Sequence, residues 1–203
     1  MAKIKHTKTE LKAQTDALKR FQRFLPMLQL KKQQLQAEIA GISAKLDEVQ
    51  AREAAARKRL EAWVALYADA DVSPEALVAF KGVRATQGNI AGVAIPVYEG
   101  IDAEPAPLDP YRTPAWVDDA QEMLAELMAL KAEGDVLRRQ RALVQEELHT
   151  TGQRVNLFEK VKIPECKENI RVIRIFIGDE QTAAVVRGKI AKGRAPKQKE
   201  ATA

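Results

Sequence analysis

The chain has a single cysteine, Cys166, and two histidines, His6 and His149, far apart in sequence. One cysteine closes no internal disulfide, and one thiol with two scattered imidazoles makes no metal-ligand pattern. Cys166 reads instead as a small apolar residue near a helix seam. Aromatic residues are only 5% of the total, little bulk for one large compact core. No apolar run approaches the roughly 20 residues needed to cross a bilayer. The start, MAKIKHTKTELK, lacks the apolar centre of a secretory signal, so the expectation is a soluble cytoplasmic protein. Nucleophile-base triads, HExxH and paired cysteines are all missing. The stretch GDEQTAAVVRGKI ends in Gly-Lys, but its glycine spacing is wrong for a phosphate loop, and Ile190 stands where Ser or Thr belongs. These absences argue against an enzyme: no catalytic, cofactor-binding or metal-binding residues are expected.

What the sequence does have is Ala, Leu, Glu, Gln, Lys and Arg, the composition of long helices. Residues 7–68 carry a heptad pattern. One series runs Leu11, Leu18, Leu25, Lys32, Ile39, Leu46, Glu53, Leu60, Tyr67. The interleaved series runs Gln14, Phe21, Leu28, Leu35, Ile42, Val49, Ala56, Trp63. Fourteen of these 17 positions are apolar, which is a coiled-coil seam. Thr7 and Glu10 have capping-box spacing, and such a helix spans about 90 Å. Pro26 interrupts it, off both series.

Residues 69–113 change character. Ser73-Pro74 predicts a helix start and a short helix over about 74–81. VRATQGNIAGVAIPVYEGID has no helical period and predicts two short strands, near 88–93 and 95–102, as a hairpin. Pro96 demotes its strand to an edge or a bulge. AEPAPLDPYRTP, with four prolines in twelve residues, reads as a loop over 103–114. Trp63 and Trp116 flank this segment and are expected to pack where the helices meet it.

A second long helix is expected from Thr113-Pro114, with apolar residues at Val117, Ala120, Leu124, Leu127, Leu130, Leu137, Val144, Leu148, Val155 and Phe158. Continuing that register predicts positions 162 and 165, yet the apolar series resumes one residue later as Ile163, Cys166, Ile170, Ile173, Ile177. A slip of this kind locally unwinds a supercoil. It falls beside Pro164, so a bend or unwinding is expected there. This helix should run to about residue 190, some 110 Å, with 193–203 a disordered basic tail.

The fold class is therefore mainly α: a long antiparallel two-helix coiled coil with a small central α/β insert of short helix, β-hairpin and Pro-rich loop. Its segments are 1–68, 69–113, 114–192 and 193–203. Equal helix lengths would put Pro26 across from residues 160–166, at one level with Ile163 and Pro164.

Charge is uneven. The net value is +5, but residues 1–32 carry nine Lys/Arg against Glu10 and Asp16, and residues 187–203 six against Glu200. Residues 69–119 hold nine acids against Lys81, Arg84 and Arg112. Antiparallel helices would gather both basic ends.

The stretch NLFEKVKIPECKENIRVIR, Asn156 to Arg174, resembles the C-terminal helix motif of the D subunit of V-type and A-type rotary ATPases: Asn156, Glu159, the Ile163-Pro164 pair, then Ile170 and Ile173. TKTEL from Thr7 and NIAGVAIPV from Asn89 to Val97 resemble that family's patterns in the same order. The likeness covers about 7–192. It departs from the archaeal pattern at Pro26 and in the loop 103–114, as a bacterial branch would.

The resemblance implies a central-stalk rotor shaft that carries torque between an ATP-hydrolysing hexamer and a membrane ion-translocating ring. Implied partners are the catalytic and non-catalytic hexamer subunits, the small F subunit of the stalk, and a membrane-ring adaptor. The implied location is cytoplasmic, peripheral to the inner membrane, with no insertion into it. On that basis Lys3, Lys5, Lys8, Lys12, Arg187, Lys189 and Lys192 are expected inside the hexamer cavity. The hairpin residues Asn89, Ile90, Gly92, Val93 and Pro96 are expected in a foot that faces the F subunit and adaptor. Two other readings share some features. A free-standing coiled-coil scaffold or chaperone-like hairpin needs the heptads but not the Ile-Pro motif. A nucleic-acid binder would use the basic ends, but base-stacking aromatics do not accompany them, so no nucleic-acid partner is expected.

Overall fold

A computed structural model describes residues 4–61, 77–107, 111, 113, 114 and 116–200. Along the chain come α1 (Lys8–Glu61), β1 (Val78–Ile90), β2 (Val93–Pro105), α2 (Val117–Asn156), a π-helical segment (Leu157–Lys162) and α3 (Ile163–Glu200). The chain divides into two compact units, one made of residues 1–30 and 152–203, the other of residues 31–151.

In the first unit, Thr7 Oγ1 accepts a hydrogen bond from the Glu10 backbone N–H at 3.2 Å and starts α1 as the sequence predicts. The helices run antiparallel. His6 lies against Phe176, with ring centroids 4.8 Å apart; Asn169 Nδ2 donates to Gln14 Oε1 at 3.4 Å; Phe21 meets Phe158 at 5.0 Å. The seam residues Leu11, Leu18, Phe21, Leu25 and Leu28 are half-buried, while Cys166, Ile170 and Ile173 opposite are buried. Two helices alone leave the flanks of their seam open to water.

These contacts correct the expected proline level. Phe21 faces Phe158, so Pro26, beyond Phe21, faces residues before Phe158. Pro164 lies between Phe158 and Asn169, so it faces residues between Gln14 and Phe21. The two prolines stand at different heights. Equal helix lengths were the wrong ruler. Seam contacts set the register, and the C-terminal helix runs well past the start of α1.

The slip predicted at Pro164 is present, and it takes the form of a π-helix. The Ile163 backbone N–H donates to the Phe158 carbonyl, five residues back rather than four. A proline ring clashes with the carbonyl four residues before it in an ordinary helix, and a wider turn moves that carbonyl aside. Pro164 brings no N–H for the carbonyls of Glu159 or Lys160, but both residues are exposed and water can serve them. Helix continues to Glu200, beyond the limit of 192 read from the sequence.

In the second unit, α1 and α2 again run antiparallel. Lys31 pairs with Glu147 at 2.6 Å, Arg52 with Glu133 at 3.4 Å and Arg59 with Glu126 at 2.9 Å. Here the seam is closed. Leu35, Ile42, Leu46, Val49 and Ala56 of α1 are buried with Leu130, Leu137 and Val144 of α2. The difference from the first unit has a cause in β2. Ile95 is 4% exposed and belongs to the same core, and Ile90 and Val93 pack against it. The hairpin lies on the helix pair and covers it.

The strands are longer than predicted and turn earlier. β1 and β2 pair antiparallel from Val78↔Pro105 to Ile90↔Val93, with the turn at Ala91-Gly92. Residues 78–81, expected as helix, are strand; 74–76 lie outside the described residues. The Pro-rich stretch contributes its first three residues, 103–105, to β2. Pro96 does sit on an edge, as any residue of a two-stranded sheet must, but the register shifts fall at Phe80/Gly82 and Arg84/Ala85 instead. A second small core, Leu77, Val78, Val117 and Ala120 with Trp116 packed on it, joins the hairpin base to α2. That is the packing expected of Trp116; Trp63 lies outside the described residues.

Candidate functional site

Three surfaces stand out, two in the first unit and one in the second. The first is the free end of α3. Every residue from Gly178 to Lys192 is exposed. His6, near the chain's start, reaches only Phe176, so α3 continues past it as an uncovered helix. Its exposed apolar side chains include Val185, Val186 and Ile190, interleaved with Arg187, Lys189 and Lys192. Helices in proteins draw most of their stability from packing an apolar face, and an isolated one is marginal in water. A helix exposed all round and carrying apolar groups is suited to a partner's surface.

Lys5, Lys8 and Lys12 are exposed at the same end, and Lys3 lies outside the described residues. The two basic sets are not side by side. Arg187 comes eleven residues after Phe176, about 16 Å farther along the helix.

The second surface surrounds the π segment. Leu157 and Val161 are exposed there, and on α1 so are Phe24, Met27 and Leu30. None of the π residues is buried.

The third surface is the hairpin with α2. Gln121, 8% exposed, donates through Nε2 to the carbonyls of Leu77 and Ala106, both at 3.0 Å. It clasps the base of the hairpin. Gln140, also buried, donates to the Pro96 carbonyl and clasps its middle. Sequence reasoning passed over both, because a buried glutamine on a helix has no periodic signature. Above them runs a groove of about 690 Å³ lined by Phe80, Val83, Pro96, Met128 and Val136, with Lys131, Asp135 and Arg139 also contributing. Phe80 and Val83 face solvent by about half their surface. Near it, burial and the Glu133 carboxylate raise the Tyr98 hydroxyl above the ordinary phenol range, against the opposing charge of Arg84. Tyr98 thus stays neutral at physiological pH.

Of the predicted hairpin residues, Ile90 and Val93 turn inward onto the helix core and Pro96 is held by Gln140. Asn89 and Gly92 form the turn: the Gly92 N–H donates to Asn89 Oδ1 at 2.9 Å. The hairpin is thus packed on its own helices through Ile90 and Val93, while Asn89 and Gly92 at its turn are exposed. Among the described residues, no group of three His, Cys, Asp or Glu side chains is placed to hold a metal, and no helix is long and apolar enough to cross a membrane.

A mainly helical chain, with antiparallel helix pairs, a strand hairpin clasped to one of them and a bare helix end, belongs to the class of long-helix proteins with a small β insert. Comparison with known sequences makes the class particular. The family described as the ATP synthase D subunit matches residues 10–193. The V-type ATP synthase D subunit of Borreliella burgdorferi is 45% identical over 192 residues, covering 95% of each chain. Those of Chlamydia caviae and Chlamydia felis are each 32% identical, covering 98% of this chain and 97% of theirs. The chain belongs to the ATP synthase D-subunit family.

Proposed function

We propose that the chain is the central-stalk rotor shaft of a V-type ATPase or ATP synthase, a non-catalytic subunit that carries torque between the ATP-hydrolysing hexamer and the membrane ion-translocating ring. The observation that carries this reading is the family match over residues 10–193, with relatives named as the D subunit of V-type ATP synthases that share nearly their whole length with it. Torque transmission needs a stiff element, and paired helices resist twist better than loops. The closed seam of Leu35, Ile42, Leu46 and Val49 supplies that stiffness.

The exposed end of α3, with Arg187, Lys189 and Lys192, and the N-terminal Lys5, Lys8 and Lys12 form the part that enters the hexamer cavity. Basic groups there meet acidic loops of the catalytic and non-catalytic subunits. The surface around the hairpin groove faces the small F subunit and the ring adaptor. The protein then works at the cytoplasmic side of the inner membrane, held there by its neighbours.

The test is affinity purification of the tagged chain from native membranes. Nucleotide-binding subunits of the ATPase should co-purify with it in fixed ratio. Recovery of the chain alone, with the ATPase intact in the remaining fraction, would replace the shaft with a free-standing scaffold.

A further inference from the structure

The π segment holds one residue more than the seam requires. Carried on from Val155 and Phe158, the heptads would put Lys162 and Glu165 at seam positions against α1. The structure instead buries Cys166, Ile170 and Ile173, each one residue later. A π turn absorbs one extra residue, because its hydrogen bonds span five residues instead of four. Without that turn, the extra residue would rotate everything after it by about 100° and drive a lysine and a carboxylate into the seam.

Apart from the Phe158 ring, which meets Phe21 at 5.0 Å, little holds this turn shut. None of its residues is buried, and Leu157 and Val161 are 44% and 49% exposed. Pro164 withdraws a donor at its exit. The ion pair across that exit, Lys162 to Glu165 at 3.0 Å, is exposed on both sides and adds little. By contrast, the turns after it are pinned by Cys166, Ile170 and Ile173. The segment is thus a weak turn set between packed ones.

We propose that Leu157–Lys162 is a torsional joint in the C-terminal helix: one surplus residue, stored as a wide turn, that opens before its neighbours and takes up twist while the seam stays on α1. The purpose of such a joint rests on the shaft reading; its existence does not. A shaft under torque is served by a place where twist collects without loss of register. A local opening between two locked stretches of seam provides one.

Two measurements on the isolated full-length chain test the joint. In the parent, backbone amides of residues 159–163 should exchange with deuterium at least about tenfold faster than those of 166–173. Equal protection in the two stretches overturns the proposal. Removing Lys160, an exposed residue of the segment, should yield a regular helix with the seam intact on both sides. Its melting temperature should equal or exceed the parent's, and exchange at the segment should slow to that of its neighbours. The same removal at Glu168, in regular helix, should take Ile170 and Ile173 off the seam and lower the melting temperature by about 5 °C or more. A melting temperature for the Lys160 deletion below the parent's overturns the joint. Because no partner is present in either assay, failure here leaves the shaft reading to be judged by co-purification alone.

Discussion

Ala91 carries a φ of 50°, a left-handed angle that L-residues other than Asn and Asp seldom adopt, and Gly92 follows at 86°. Two such residues between paired strands make the tight turn whose twist matches a hairpin. Only the second has the residue that suits it. Ala91→Asn should therefore stabilise the protein by about 0.5 kcal/mol, and Gly92→Ala should cost about 1 kcal/mol; urea unfolding measures both. Gln121 is the opposite kind of residue, a polar side chain whose burial is offset by two hydrogen bonds. Gln121→Leu leaves the Leu77 and Ala106 carbonyls without that partner and should cost about 1–3 kcal/mol, with faster amide exchange at the hairpin base. Cys166 titrates upward, chiefly through burial and then the nearby Glu165 carboxylate, against Lys162. A raised pKa keeps the thiol neutral at pH 8, so alkylation of the folded chain should be slower than that of the urea-unfolded chain. Equal rates would mean that the seam around Cys166 is open.

At the scale of elements, the two units differ in how much of the seam they bury. Leu35 is fully buried under a core that includes Ile95, whereas Leu18 sits half-exposed between two helices. Leu35→Ala should cost about 2–5 kcal/mol, and Leu18→Ala about 1 kcal/mol; thermal melts of the two variants should rank in that order. The long helices were legible because a seam repeats, and fourteen concordant positions outweigh any local accident. The slip beside Pro164 was legible for the same reason, since a displaced repeat shows the size of its displacement. The length of β1 was not. Its run Ala79, Phe80, Lys81 and Gly82 is mostly exposed, so it lacks the alternation that marks a strand with one face buried. β2 shows its register through Val93 and Ile95, which was enough to suggest a hairpin but not where it turns. The heights of the prolines were missed because a seam pattern gives each helix its buried face and says nothing of the offset between two helices.

At the scale of the whole molecule, the proposed function rests on charge and length. Replacing Lys5, Lys8, Lys12, Arg187, Lys189 and Lys192 with Gln should weaken assembly with the ATPase hexamer. The loss should shrink as salt rises, because exposed charges are screened beyond about 8 Å at physiological ionic strength. Assembly of the variant at low salt equal to the parent's would remove these residues from the interface. Deleting 86–103 should keep α1 and α2 helical but uncover the core that Ile95 shares, so circular dichroism should show helix with a lowered melting point. The family itself was readable from the Ile-Pro motif and its neighbours, while the clasp of the hairpin by Gln121 and Gln140 required three dimensions. One consequence concerns the order in which the molecule comes together. Arg59 and Glu126 are 67 residues apart along the chain, Gln14 and Asn169 are 155. Closing the wider loop outright costs only about 0.7 kcal/mol more, yet growth from a pair already joined needs no such closure. Pairing that starts beside the insert should therefore spread outward, so that on refolding amide protection near Arg59 and Glu126 precedes protection near Gln14 and Asn169.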